Sequence, residues 1–270
     1  MASERNILKE NVNDSRNTRM DLDDSAGKLD FRVDEIMFLG RYHKGAQTIQ
    51  DLSKALGRPI RVLDIGCGHM DTARTVYKAY IVKKSEILEE YIGVDIDDIM
   101  IEKSKELYKS CYEACNCKFV NQDLTVNPRL DFEDDYFDLI ICTEFLEHIN
   151  PKYSQAIIEE ARRLLNPEGI ALFSTPNSNG SPSKLPKDHF YEYSYEELLE
   201  KFNQAGWKIT KTVGMAVSFN KVPKDWKEKL APLMELYSQA WGRNSHFMRV
   251  AIAPLVPPTY CKNVIYIMKK

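Results

Sequence analysis

The run Arg61-Val62-Leu63-Asp64-Ile65-Gly66-Cys67-Gly68-His69-Met70 decides the fold. Its first half is apolar and β-branched, follows Gly57 and Pro59, and stops in a glycine turn, the pattern of a buried parallel strand. The next ten residues, Asp71 to Tyr80, carry apolar side chains at helical spacing behind an acidic opening residue. Strand, Gly-x-Gly turn and helix together form the first unit of a doubly wound α/β sheet.

The same rhythm runs outward from that unit. Tyr91 to Asp97 reads as a second strand ending in acids, Lys118 to Leu124 as a third, and Tyr136 to Glu144 as a fourth, almost wholly apolar, that ends in a polar cluster. A helix through Ser104 to Cys111 joins the second and third strands. Tyr153 to Leu165 is an amphipathic helix with Ile157, Ile158, Ala161 and Leu164 inward, ended by Pro167, Glu168 and Gly169. The fifth strand, Ile170 to Thr175, stops at Pro176-Asn177, and a long polar loop to Asp188 follows. A helix over Tyr195 to Gly206, a sixth strand over Trp207 to Val213 and a seventh over Asn263 to Met268 complete the pattern. The expected fold is a doubly wound, mostly parallel α/β sheet.

The chemistry of the turn narrows the ligand. A dinucleotide site needs a third glycine so that helix amides can approach a pyrophosphate. Here that position is Asp71, and Asp64 sits just before the first glycine; both carboxylates repel phosphate. S-adenosylmethionine has no phosphate and carries a sulfonium and an ammonium, which an acidic turn attracts. Asp95, at the end of the second strand, stands where a carboxylate accepts two hydrogen bonds from a ribose diol, and Asp123 ends the third where it can meet an adenine amino group.

Through Asp64-Ile65-Gly66-Cys67-Gly68, Asp95, Asp123 and the segment from Phe137-Asp138 to His148, the chain resembles the class I S-adenosylmethionine-dependent methyltransferases, from about Ile60 to Trp207 and again in the last strand. It is most similar to the O-methyltransferases of ubiquinone synthesis and their relatives. The resemblance implies a seven-stranded, mostly parallel sheet with an antiparallel last strand, and cofactor contacts from Asp64, Gly66, Cys67, Gly68, Asp95, Ile96, Asp123, Leu124 and Thr143.

Catalytic candidates begin where the fourth strand ends. If Glu144-Phe145-Leu146-Glu147-His148 is helical, the i, i+3, i+4 spacing puts Glu144, Glu147 and His148 on one face, and His189 returns to the same edge after the fifth strand. Glu144, His148 and His189 are the catalytic candidates, with a histidine as general base. Glu144, Glu147, His148 and His189 together are also enough ligands for a divalent metal. Glu-x-x-Glu-His with a distant His is similar to the set in small-RNA 3'-terminal 2'-O-methyltransferases, which implies a metal and both ribose hydroxyls there, and similar also to ubiquinone-type enzymes. The expected function is O-methylation of a small or medium hydroxylated metabolite. Its alternatives are an RNA or nucleotide 2'-O-methyltransferase with a metal, or an inactive cofactor-binding regulatory subunit. Pro257-Pro258-Thr259-Tyr260 has the look of an amine-gripping motif, but it lacks the Asn and lies far from the fourth strand.

The remaining segments are less specific. With a formal charge of −3 over 270 residues, the chain has no global electrostatic signature of nucleic-acid binding, although a nucleic-acid acceptor stays open. Six cysteines without framework spacing read as reduced thiols, and Cys111, Cys115 and Cys117 lack the second pair a zinc site needs. No stretch has the apolar length of a signal peptide core or a membrane span, so a cytoplasmic protein is expected. Residues 1–28 read as a flexible tail. Residues 29–57 read as one or two helices, broken around Gly40 and Gly45, that roof the cofactor, and the resemblance implies Arg41, Tyr42 and His43 there as weaker cofactor contacts. An insertion over 216–260 holds Trp226, Leu230, Leu233, Met234, Tyr237 and Trp241 on one helix face. It can serve as a substrate-selecting cap or as a homodimer surface.

Overall fold

In a computed structural model, residues 33–79, 86–178, 185–241 and 246–270 are described. The tail expected over 1–28 lies outside them, as does part of the loop after Asn177. Seven strands form one sheet in the order β3-β2-β1-β4-β5-β7-β6. They are β1 (Ile60–Ile65), β2 (Leu88–Asp95), β3 (Cys117–Asn121), β4 (Phe137–Thr143), β5 (Leu165–Pro176), β6 (Lys208–Gly214) and β7 (Asn263–Lys269). All pairings are parallel except those of β7 with β5 and β6. Strand order reverses beside β1, whose neighbours are β2 and β4, and in such sheets the crevice at that point is where ligands bind.

Helices cover both faces because alternate residues of the buried strands point opposite ways. Leu63, Ile65, Ile140 and Cys142 pack on one side with Ile157, Ile158, Ala161 and Leu164 of α5 (Pro151–Leu164) and Leu198 and Phe202 of α6 (Tyr195–Gln204). Val62, Leu139 and Ile141 pack on the other with α1 (Val33–Leu56), α2 (Asp71–Ala79) and α4 (Lys109–Ala114). Cys111 and Cys115 belong to that second core, and all six thiols are unbridged. Between β2 and α4 runs α3 (Asp98–Leu107), capped by the Asp97 carboxylate, which accepts from Met100 N.

Three local expectations change. Gly40 and Gly45 do not break the N-terminal segment, since α1 is a single helix of 24 residues. A Cβ on Gly45 would lie 2.7 Å from Thr72 Cγ2, so this glycine marks the point where α1 crosses α2. Pro167, Glu168 and Gly169 do not end a helix: α5 stops at Leu164 and these residues bulge within β5, whose register jumps from Phe137↔Leu165 to Leu139↔Ile170. The third strand ends at Asn121, so Asp123 and Leu124 follow it in a turn.

The insertion carries its own apolar cluster. Leu230, with Trp226, Leu233, Met234 and Tyr237 of α7 (Lys224–Trp241), packs on Val217, Val222, Ile252, Ala253, Val256 and Cys261. Helix α8 (His246–Ala251) packs on both α7 and α1. Among the described residues, no helix is long and apolar enough to cross a membrane.

Gly93 in β2 is the tightest point of the sheet beneath the glycine turn. A Cβ there would meet Met70 Cε at 2.3 Å and Cys67 Sγ at 2.7 Å. Gly93→Ala is therefore expected to destabilise the fold by about 1–3 kcal/mol through overpacking. Thermal unfolding checks the stability, and calorimetry should show weaker cofactor binding, because Cys67 must move.

Candidate active site

Register assembles the cofactor edge. Ile65 pairs with Val94 and with Cys142, so the next residues, Gly66, Asp95 and Thr143, reach the same level of the carboxyl edge. Gly66 (φ +67°) and Gly68 (φ +51°) adopt left-handed backbone that side chains disfavour. A Cβ on Gly66 would also strike the Phe145 ring at 2.4 Å. The turn is held by backbone bonds from Gly66 N and Cys67 N to Val94 O, at 2.9 and 3.1 Å. Asp95 clamps it further: one carboxylate oxygen accepts from Gly68 N and the other from Asp97 N, each at 3.0 Å. A carboxylate oxygen has lone pairs for two acceptances, so this arrangement leaves capacity for two ribose hydroxyls.

A cavity opens above the turn, walled by Asp64, Gly66, Cys67, Gly68, Asp71 and Thr72, with Thr143 and Glu144 from β4 and Arg41 and Tyr42 from α1. The acidic lining suits a sulfonium and an ammonium. Five of the nine cofactor candidates line it: Asp64, Gly66, Cys67, Gly68 and Thr143. Asp95, Ile96, Asp123 and Leu124 do not line it; Asp95 contacts the turn through Gly68 N, and Gln122 N, just before Asp123, donates to Asp95 O at 3.1 Å. Asp123 accepts there from Thr125 N and Thr125 Oγ1. Leu124 is buried, and Ile96 is exposed beside Asp95. Of the α1 candidates, Arg41 and Tyr42 face the cavity while His43 is exposed to solvent. Thr72 was not signalled by the sequence motif.

Asp64 is fully buried and accepts a 2.5 Å hydrogen bond from Tyr91 OH. Burial, opposed by that bond and reinforced by the Asp71 and Asp95 charges, raises its pKa to about 7. Burial likewise pushes the Cys67 thiol well up, so it is an unreactive wall.

The polar cluster after β4 is split by a backbone turn. Glu144 takes a left-handed conformation (φ +51°), and only Leu146–His148 is helical, as one 3₁₀ turn. Glu144 therefore does not share a face with Glu147 and His148 and is not part of their ligand group. Its carboxylate turns toward the cofactor cavity, accepting from Ser174 Oγ (2.9 Å) and Asn263 Nδ2 (2.8 Å) and pairing with Arg41 at 3.5 Å.

Glu147, His148 and His189 do converge. One ligand atom from each lies within 4.8 Å of the others, and among the described residues this is the cluster with metal-ligand geometry. The two rings stand edge to face with centroids 4.8 Å apart. Phe190 N and Tyr191 N donate to Glu147 O, which draws the distant His189 segment onto the 3₁₀ turn. His148 Nδ1 lies 2.9 Å from the Asp188 carbonyl, an acceptor only, so Nδ1 carries a proton, and in the neutral ring the lone pair is on Nε2. Burial, with the nearby Glu144 charge, holds the Glu147 carboxyl well above the usual carboxylate range. Both Arg41 and a hydrogen bond from Thr175 oppose this. A cation bound beside Glu147 would reverse that bias.

A doubly wound sheet with a glycine turn, an acidic cavity hostile to phosphate and a carboxylate at the second strand end defines a binder of S-adenosylmethionine. Residues 37–212 match the family model described as a methyltransferase domain. The chain belongs to this family, within the class I S-adenosylmethionine-dependent methyltransferases. It is 27% identical over 177 residues to a ubiquinone biosynthesis O-methyltransferase of Neisseria meningitidis, covering 64% of this chain and 58% of that protein. It is 26% identical over 181 residues to a small RNA 2'-O-methyltransferase of Arabidopsis thaliana, covering 60% of this chain and 18% of that protein. The chain thus spans little more than half the length of the bacterial relatives it matches, and far less of the plant one. Among solved structures, the [4+2]-cyclase SpnF shares the fold with a TM-score of 0.53 at 18% identity, covering 83% of this chain and 80% of that one.

Two outcomes follow from the cavity. Asp95→Ala removes the strand-end carboxylate and the Gly68 clamp together, and calorimetry is expected to show at least about a tenfold loss of S-adenosylmethionine affinity. Asp64, with its folded pKa raised from the ordinary 3.8 to about 7, stabilises the fold fully below the lower value. That contribution is lost as pH rises through the higher one. Thermal midpoints of the cofactor-free protein between pH 4 and 8 should show this fall, and Asp64→Asn should flatten it.

Proposed function

We propose that this chain transfers the methyl group of S-adenosylmethionine to a hydroxyl oxygen of a small or medium-sized hydroxylated acceptor. The observation that carries the reading is the cluster of Glu147, His148 and His189 at the end of β4, on the edge that bears the cofactor cavity. A hydroxyl is a poor nucleophile until its proton has somewhere to go, and neutral imidazoles are suited to take it near neutral pH.

In the proposed reaction the acceptor oxygen attacks the methyl carbon in line with the departing sulfur. The C–S electron pair leaves on sulfur, producing S-adenosylhomocysteine, and the acceptor proton passes to Nε2 of a histidine, His148 or His189. Alignment and exclusion of water supply most of the rate, and the imidazole a further factor of about 10² to 10⁴. Glu147, His148 and His189 would also hold a divalent cation, and such a cation, when bound, supplies a Lewis acid that acidifies the acceptor hydroxyl. Similarity to the ubiquinone biosynthesis O-methyltransferases supports oxygen as the target atom.

A second reading has its own support. The same three side chains and the similarity to a small RNA 2'-O-methyltransferase favour a ribose 2'-hydroxyl at an RNA end as acceptor.

The test is transfer of labelled methyl from S-adenosylmethionine into a cell extract, partitioned by size and nuclease sensitivity. Label in the small-molecule fraction is the expected result, and nuclease-sensitive label would replace it with the ribose reading. On the labelled acceptor, Glu147→Ala and His189→Ala are each expected to reduce transfer about a hundredfold or more. Loss on chelation, restored by Mn2+ or Mg2+, would place a cation in the step.

A further inference from the structure

The cluster depends on which ring nitrogen of His189 carries the proton. A neutral histidine in water favours the proton on Nε2, which would turn an N–H toward the acceptor instead of a lone pair. Something must hold the opposite tautomer if His189 is to act as a base or ligand. His148 has a backbone carbonyl for that purpose. His189 has a side chain that no motif singles out: Glu192 Oε1 lies 2.7 Å from His189 Nδ1. The pair is sheltered, with side chains 13% and 19% exposed.

We propose that Glu192 is a positioning residue for the methyl-transfer site: its carboxylate accepts the Nδ1 proton of His189 and thereby presents the Nε2 lone pair beside Glu147 and His148. The inference rests on the reading of His189 as an acceptor-site group.

Three features keep Glu192 in place. It precedes Tyr193, whose buried ring is fixed by a hydrogen bond to Ser154 Oγ at 3.0 Å, and whose carbonyl accepts from Ser178 N at 3.0 Å. Segment 188–191 is pinned from the other side by the two bonds to Glu147 O. The half-buried ammonium of Lys221, whose Nζ donates to Asn177 O, feels the Glu192 charge most strongly among the acids around it. Lys221 belongs to the insertion, so the inserted segment supplies a cation to the acid that orients His189.

The decisive measurement is the His189 tautomer by long-range ¹H–¹⁵N NMR at pH 9, where an ordinary imidazole is neutral. With five histidines in the chain, His189→Gln assigns the signal. The expected result is a wild-type ring protonated on Nδ1 and a Glu192→Leu ring moved toward the Nε2-protonated form, with the His69 signals unchanged as a control for folding. Should Glu192→Leu fail to fold, Glu192→Gln decides: its amide can donate or accept, so a mixture of tautomers is expected. A wild-type ring protonated on Nε2 or on both nitrogens would overturn the proposal, as would an Nδ1-protonated ring persisting in the folded variant. The tautomer is read without an acceptor, so a failure of methyl transfer to oxygen and a failure of this inference are told apart.

Discussion

Close packing of the glycine turn between β1 and β2 is the constraint on which the rest depends. Gly66 and Gly68 provide the left-handed backbone, Gly93 leaves room beneath for Cys67 and Met70, and Asp95 ties the turn to the second strand through Gly68 N. Each element serves stability and the ligand at once. The backbone that must bend to cap the strand is the backbone that opens the cavity, and the Asp95 carboxylate holds it in that bend. Interiors packed at this density do not deform gradually, so the turn is a rigid floor.

On that floor the site divides into two chemically distinct halves at one residue. Glu144, in a left-handed conformation at the end of β4, sends its own carboxylate to Ser174, Asn263 and Arg41 and redirects the chain so that Glu147 and His148 face elsewhere. Non-glycine residues in this region of backbone space are uncommon, and two side-chain hydrogen bonds and an ion pair hold this one there. Glu144 lines the cavity with Arg41, whereas Glu147, His148 and His189 form a cluster of their own. The two remain coupled, because the nearby Glu144 charge helps hold the Glu147 carboxyl above the usual carboxylate range.

The insertion between β6 and β7 adds a third, smaller core around Leu230 and Val217. Its two ends are stitched together by Ser218 N to Tyr260 O and Lys262 N to Ala216 O, and Asn177 Nδ2 ties them to the end of β5. These bonds carry the antiparallel pairing of the last strands outward and place inserted residues beside the His189 segment.

Sequence by itself determined the sheet, the glycine turn and the acids at the strand ends, because strand periodicity, glycine spacing and strand-end carboxylates are local patterns. It also marked His148 and His189 as partners, though by composition rather than by contact. Tertiary structure decided what local pattern does not carry. Gly45 became a helix crossing rather than a break because Thr72 lies against it. Gly169 became part of a bulge because the Asp138 carbonyl lies 2.7 Å from where its Cβ would be. Glu144 left the expected ligand set because helical spacing presumes a helix, and the chain there is a left-handed residue followed by a single 3₁₀ turn. Glu192 gained a role because Glu147 O, more than forty positions away in the chain, draws the His189 segment into place. Such long-range backbone bonds depend on the folded register, which no window of sequence contains.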